Sequence, residues 1–177
     1  MSSPTVLIAG IGNIFFGDDA FGVEVAQRLL RRSWPPSIRV QDFGIRGLDL
    51  TYALLEPWDL IILIDAVPRD QPPGTVYVIE PEIDAASPDS GPMVDAHAMD
   101  PVKVLQAALS MGARFNRGVI LVGCQPTPFD ADLNMQMELS PPVHAAVDEA
   151  INVIESLLHP LLADGHQLVT VAKELSS

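Results

Sequence analysis

Cysteine is almost absent from this sequence. Cys124 stands alone, so neither an internal disulfide nor a multi-cysteine zinc or iron–sulfur site can form, and nothing requires an oxidising compartment. Basic residues are scarce too: ten Lys and Arg against 23 Asp and Glu give a formal net charge of −13. Such a surface repels phosphate backbones and anionic lipid heads, which argues against nucleic-acid and membrane partners and leaves metal ions open. Long apolar runs are missing. The most apolar internal stretch, Leu60-Ile-Ile-Leu-Ile64, stops at Asp65, far short of the roughly 18 to 20 residues that span a bilayer. Met1-Ser-Ser-Pro-Thr5 has no basic residue, and the run from Val6 to Ala9 is too short for a signal-peptide core. A soluble, cytoplasmic protein is expected.

What is present suits one globular domain. The 177 residues are 48% hydrophobic and 19% charged, which excludes a disordered chain and allows about 70% of the unfolded surface to be buried. Val6-Leu-Ile-Ala9, Ile38-Arg-Val40, Leu60 to Ile64, Val76-Tyr-Val-Ile79 and Val119-Ile-Leu-Val122 are short aliphatic runs with Gly, Pro or Asp nearby. Three of them read as strands buried on both faces. Helical stripes lie between them, Phe21, Val25, Ala26, Leu29 and Leu30 in one, Val102, Leu105, Ala108 and Leu109 in another. Asp100-Pro101 and Ser140-Pro141 read as N-caps followed by proline at the first helical position. The expected fold is α/β: a single domain spanning 1–177, with a mostly parallel twisted sheet of about five strands and helices on both faces. Residues 80–95 read as a long surface loop and 160–177 as a loosely attached tail.

The first strand runs into Gly10-Ile-Gly-Asn-Ile-Phe-Phe-Gly-Asp-Asp-Ala-Phe-Gly22. A dinucleotide fingerprint fails here, because its third glycine falls on Phe15 and Asp18 and Asp19 would oppose a pyrophosphate. Helix capping accounts for one aspartate of the pair. The other stands after a glycine turn at the carboxyl end of a buried strand, where open α/β sheets build their sites. Asp65 holds the equivalent place after the third run, with a strand-ending turn as its plainer reading. His97, just ahead of Asp100-Pro101, comes from a third connection. Two carboxylates and one imidazole converging on one edge form a donor set suited to zinc, nickel or manganese, with coordination positions left open.

These residues resemble the hydrogenase maturation endopeptidases, which trim the C-terminus of the large subunit of nickel–iron hydrogenases. The run from Gly10-Ile-Gly-Asn13 through Asp18-Asp19 to Phe21-Gly22 is similar to the family's glycine, acidic-pair and glycine motif. Asp42-Phe-Gly-Ile-Arg-Gly47 is similar to its second loop, Ile64-Asp-Ala-Val67 to its Asp-Ala strand end, Asp95-Ala-His97 to its histidine loop, and Val122-Gly-Cys-Gln-Pro126 to its Gly-x-Gln-Pro strand end. The resemblance implies a one-domain α/β fold and places metal contacts on Asp19, Asp65 and His97. Asp19 stands where many members have Glu, and Phe43 and Ile45 replace a Gly and a Thr in the second loop.

The implied activity is an endopeptidase that removes the C-terminal extension of a nickel-loaded hydrogenase large-subunit precursor. The nickel arrives with the substrate, another divalent cation being able to stand in, and the enzyme works as a monomer. Asp42 reads either as a turn residue or as a carboxylate that helps place water or peptide. Arg46 is a candidate for holding carboxylate or carbonyl groups of the peptide tail. The loop at 80–95 and the second-loop segment would form the docking surface. Cys124 reads as a small buried residue, and His144, His159 and His166 as surface histidines. The competing functions are a nickel metallochaperone that carries metal without cutting and a nucleotide-binding α/β protein.

Overall fold

Five short runs pair into one sheet in a computed structural model that describes residues 4–83, 100–128 and 137–164, the side chains of 163 and 164 excepted. The strands are β1 (Val6–Ile11), β2 (Ile38–Gly44), β3 (Leu60–Ala66), β4 (Val76–Ile79) and β5 (Val119–Cys124). Their order across the sheet is β2-β1-β3-β5-β4, all parallel except β4, which runs antiparallel to β5. All six residues of β1 and of β5 are buried, as are the first six of β3. These three are the central strands, while β2 and β4 form the half-exposed edges. A strand covered on both sides needs apolar side chains at every position, which is why these runs are continuous rather than alternating.

Alternation still decides which face each side chain serves. Val6, Ile8, Ile62, Ile64, Ile120 and Val122 point to one cluster, where α1 (Phe21–Leu30) and α4 (Pro141–Asp164) pack. Leu7, Ala9, Ile11, Ile61, Leu63 and Leu121 point to the other, beneath α2 (Gly47–Ala53) and α3 (Pro101–Ser110). Helices therefore cover both faces, as expected. Asp100 caps α3 by accepting from Val102 N at 2.9 Å, with Pro101 at the first helical position. Among the described residues no helix is long and apolar enough to cross a membrane.

Ser140 directly precedes α4, and its carbonyl accepts from His144 N at 2.8 Å as that of an N-cap residue does, with Pro141 first in the helix; its hydroxyl donates to Asp18 at 2.9 Å. Other expectations need correction. Leu30, placed in the apolar stripe of α1, is 47% exposed. The seven-residue α2 was not anticipated, because Leu48 and Tyr52 on its outer side are exposed and blur its period. The proposed tail does not begin at 160: α4 runs through Pro160 to Asp164, and Leu161 is buried. A proline inside a helix costs about 3 kcal/mol. Burial of Leu157, Leu158 and Leu161, at about 1.5–3 kcal/mol per large side chain, offsets that cost. Residues 84–95 of the expected loop lie outside the described residues.

Candidate functional site

The chain order creates a crevice. From β1 the chain crosses by α1 to β2, then by α2 on the opposite face to β3 on the other side of β1. Successive connections thus diverge at the carboxyl ends of β1 and β3, the place where open α/β sheets bind ligands. Asp19 follows β1 and Asp65 ends β3.

The glycines bring these two ends together. A Cβ on Gly22, the second residue of α1, would overlap the backbone oxygens of Ile64 and Ile11, and one on Gly10 would overlap Gly22 O and Ala26. Gly12 has φ of 142° and lies so close to Asp19 O that no side chain fits. The glycine pattern therefore serves close packing of helix on sheet rather than phosphate binding.

Between β1 and α1 the chain makes a single 3-10 turn, Gly17–Ala20. Neither aspartate of this turn caps a helix through its side chain, which corrects the capping expectation. Asp19 is exposed, and its Oδ2 accepts from Asn13 N at 2.8 Å. Desolvation by the surrounding protein pushes its carboxyl pKa up, and the Asn13 hydrogen bond only partly opposes this. Asp18 is buried instead. Burial acts to raise its pKa, but hydrogen bonds from Thr127 and Ser140 outweigh it and hold the carboxyl below its usual value.

Asp65 is 6% exposed and pairs in register with Gly123. Burial drives its pKa well above the usual carboxylate value, the Asp19 charge pushes further, the Ala66 N–H bond partly compensates, and Asp100 adds a weaker push. A buried carboxylate whose pKa is raised further by the charge of a second one shares a site with it, and the charge of a cation would relieve that repulsion. Asp65 continues the row of Ile61 and Leu63, and the two of them face the α2 and α3 side. The first residue before α3, Asp100, is the third carboxylate felt at this point.

Other candidates stand farther out. Asp42 pairs in register with Gly10, which pairs in turn with Ile64; two strand spacings of about 4.8 Å separate it from β3. Its Oδ2 accepts from Gln27 Nε2 at 2.9 Å. Arg46 is exposed at the entrance to α2; its Nε donates to Phe43 O at 3.1 Å, its guanidinium also donates to Asp42 O, and Asp49 lies 3.7 Å away. Phe43 is fully buried and Ile45 is 51% exposed. His97 and His166 lie outside the described residues, and among those described no group of three or more His, Cys, Asp or Glu is placed to hold a metal. Cys124 is buried; desolvation, followed by the Asp18 and Glu149 charges, pushes its thiol up to about 12. His144 and His159 are exposed.

Sequence reasoning missed three features. Gln125 is buried and its Oε1 accepts from Arg69 N at 2.6 Å and Gln71 N at 3.3 Å, fixing the loop that follows Asp65. Its signal was the Gln-Pro pair after β5. Ile14, Phe15 and Phe16 are 48%, 59% and 49% exposed beside Asp19, a cluster visible in the sequence as three large apolar residues where a turn needs none. A cleft of about 820 Å³ between β4 and α3 is lined by residues including Arg69, Glu80, Glu82 and Asp100. Its walls come from separate segments, so only folding reveals it.

Comparison with known proteins bears on the family and the fold. The profile of the hydrogenase maturation protease family (HycI) matches residues 23–157. A Methanocaldococcus jannaschii protein assigned to the hydrogenase maturation proteases is 33% identical over 155 residues, 87% of this chain and 96% of its own. Among solved structures, the hydrogenase maturating endopeptidase HybD from Escherichia coli superposes with a TM-score of 0.69 at 25% identity, covering 88% of this chain and 93% of that one. A hydrogenase 2 maturation peptidase from a Thaumarchaeota archaeon gives 0.65 at 29% identity, covering 88% and 98%.

Proposed function

The chain belongs to the hydrogenase maturation protease family and is a protease, and from that premise we propose that it removes the C-terminal extension of a nickel-loaded hydrogenase large-subunit precursor, reading the nickel through Asp19, Asp65 and His97. The observation that carries this reading is the carboxylate pair: Asp65, buried, has its pKa raised by the charge of Asp19 as well as by burial. Such a pair is costly alone and favourable around a cation. His97 is three residues ahead of Asp100, whose charge Asp65 feels. Three extended residues span at most about 10 Å, a tether short enough to bring an imidazole to the pair.

In this reading specificity and chemistry share one contact. Nickel in the precursor is part of the substrate; a precursor without it leaves the aspartates facing each other unscreened. With the ion seated, Asp19 and Asp65 orient the metallated end of the precursor, and a carboxylate whose basicity is raised by burial is suited to take a proton from attacking water. Asp42 and Arg46 flank the approach and take the peptide tail, and the exposed Ile14, Phe15 and Phe16 bear against the precursor surface around it. The reaction takes place in the cytoplasm, where a chain with one thiol needs no oxidation, and the enzyme acts as a monomer. A carrier that moved nickel without cutting does not fit a family of proteases.

Mass spectrometry of the purified precursor tests the proposal. The nickel-loaded form should lose its C-terminal extension over many turnovers and the nickel-free form should stay intact. His97→Ala should keep the thermal stability of the parent and leave both forms uncut; normal cutting by that variant would remove His97 from the reaction.

A further inference from the structure

Asp18 is the member of the acidic pair that the proposed reaction does not use, and it is the buried one. Its Oδ2 accepts from Thr127 N at 2.8 Å, Thr127 Oγ1 at 2.6 Å and Ser140 Oγ at 2.9 Å, and its Oδ1 accepts from Ser140 N at 2.7 Å. Thr127 lies just beyond β5 and Ser140 just before α4. One carboxylate therefore ties the 3-10 turn to two points 13 residues apart in sequence (140 − 127 = 13). A carboxylate is costly to bury. Four charge-assisted hydrogen bonds from neutral donors are a strong return on one side chain.

Asp19 needs such an anchor. It is exposed, and among the described residues its carboxylate accepts from Asn13 N alone. The turn that carries it is held by Asp19 N donating to Phe16 O at 3.0 Å and Phe16 N donating to Asn13 O at 3.1 Å, and a short 3-10 turn has weak hydrogen-bond geometry of its own.

We propose that Asp18 is a positioning residue for the peptidase reaction: by clamping the Gly17–Ala20 turn to Thr127 and Ser140 it holds the Asp19 carboxylate in place. The pair is then set before the precursor arrives, and no binding energy is spent on assembling it. This inference rests on the proposed role of Asp19. It gives Asp18 a function that simple stabilisation would not, because the consequence appears at a neighbouring carboxylate.

The test compares Asp18→Asn with Asp59→Asn. Asp59 also accepts two hydrogen bonds, from Thr5 N at 2.8 Å and Thr5 Oγ1 at 3.2 Å, but just ahead of β3, at the opposite end of that strand from Asp65. Both variants are studied at a temperature where circular dichroism shows them folded. The first readout is exchange of the Asn13 amide hydrogen, which reports its bond to Asp19 directly. Asp18→Asn should speed that exchange about tenfold, and Asp59→Asn should not. The second readout is cutting of the nickel-loaded precursor: kcat should fall at least about tenfold in Asp18→Asn with KM nearly constant, and stay within about twofold of the parent in Asp59→Asn. An unaltered Asn13 amide, or an unaltered kcat, in Asp18→Asn overturns the proposal. If that variant does not fold, Thr127→Val with Ser140→Ala, which keeps both backbone donors, replaces it under the same criteria. If the unmodified enzyme leaves the precursor uncut, the protease reading of the site fails separately and the Asn13 amide alone decides the role of Asp18.

Discussion

Gly22 rests directly on the carbonyl oxygen of Ile64, with no room for a Cβ between them. Ile64 is followed by Asp65, and Gly22 comes three residues after Asp19. The contact therefore fixes, through backbone alone, the approach of the two elements that carry the paired carboxylates.

Gly22→Ala tests that contact. The added methyl meets two backbone oxygens, Ile64 O and Ile11 O, which cannot rotate away as a side chain would. Overpacking of this kind costs about 1–3 kcal/mol, to be read as a lower urea midpoint with unchanged slope. Because relief requires α1 to shift away from β3, peptidase activity should fall even where the variant remains folded.

Asp65→Asn tests the pair electrostatically. The folded-state pKa of Asp65 is raised above its unfolded value near 3.8. Its contribution to stability is therefore fully present below the unfolded pKa and is lost as pH rises through the folded pKa, where the unfolded chain ionises freely and the native one cannot. The neutral amide escapes this loss. At pH 7 to 8 the variant should melt higher than the parent, by about 2–4 °C per kcal/mol recovered, and the difference should vanish toward pH 4. Peptidase activity should be abolished throughout. Equal melting temperatures at every pH would mean that Asp65 is not held against its charge.

Phe15→Ser tests the apolar rim. Phe15 is 59% exposed, so its loss should leave thermal stability within about 0.5 kcal/mol. If its ring is covered by the precursor, burial of an aromatic side chain is worth about 1.5–3 kcal/mol. Steady-state kinetics should then show KM raised at least about tenfold with kcat retained, the pattern of lost uniform binding.

The strands were legible because continuous aliphatic runs have few alternatives in a chain this short. Asp65 was legible for the same reason: a carboxylate directly after Leu60 to Ile64 has nowhere to go but the end of a buried strand. The acidic pair was found, but its division of labour was not. Asp18 and Asp19 are adjacent and chemically identical, and only the partners of each, Thr127 and Ser140 for one and Asn13 for the other, show which is structural and which faces the site. The second use of Ser140 was hidden as well: its hydroxyl donates to a buried carboxylate distant in sequence, a contact that no local pattern signals. Helix α2 escaped notice because seven residues with an exposed Leu48 and Tyr52 carry too little periodic signal.

By itself, the sequence determined the number of strands, the faces they bury and the residue types available for chemistry, since those follow from hydrophobic period and composition. Tertiary structure alone decided that the charge of Asp19 reaches Asp65 and that Asp18 is bonded to Thr127 and Ser140. Both depend on strand order and on backbone contacts at glycine, and strand order places Asp19 beside Asp65 across 46 residues of chain (65 − 19 = 46). Local pattern is blind to that separation; Coulomb forces, acting through space, are not.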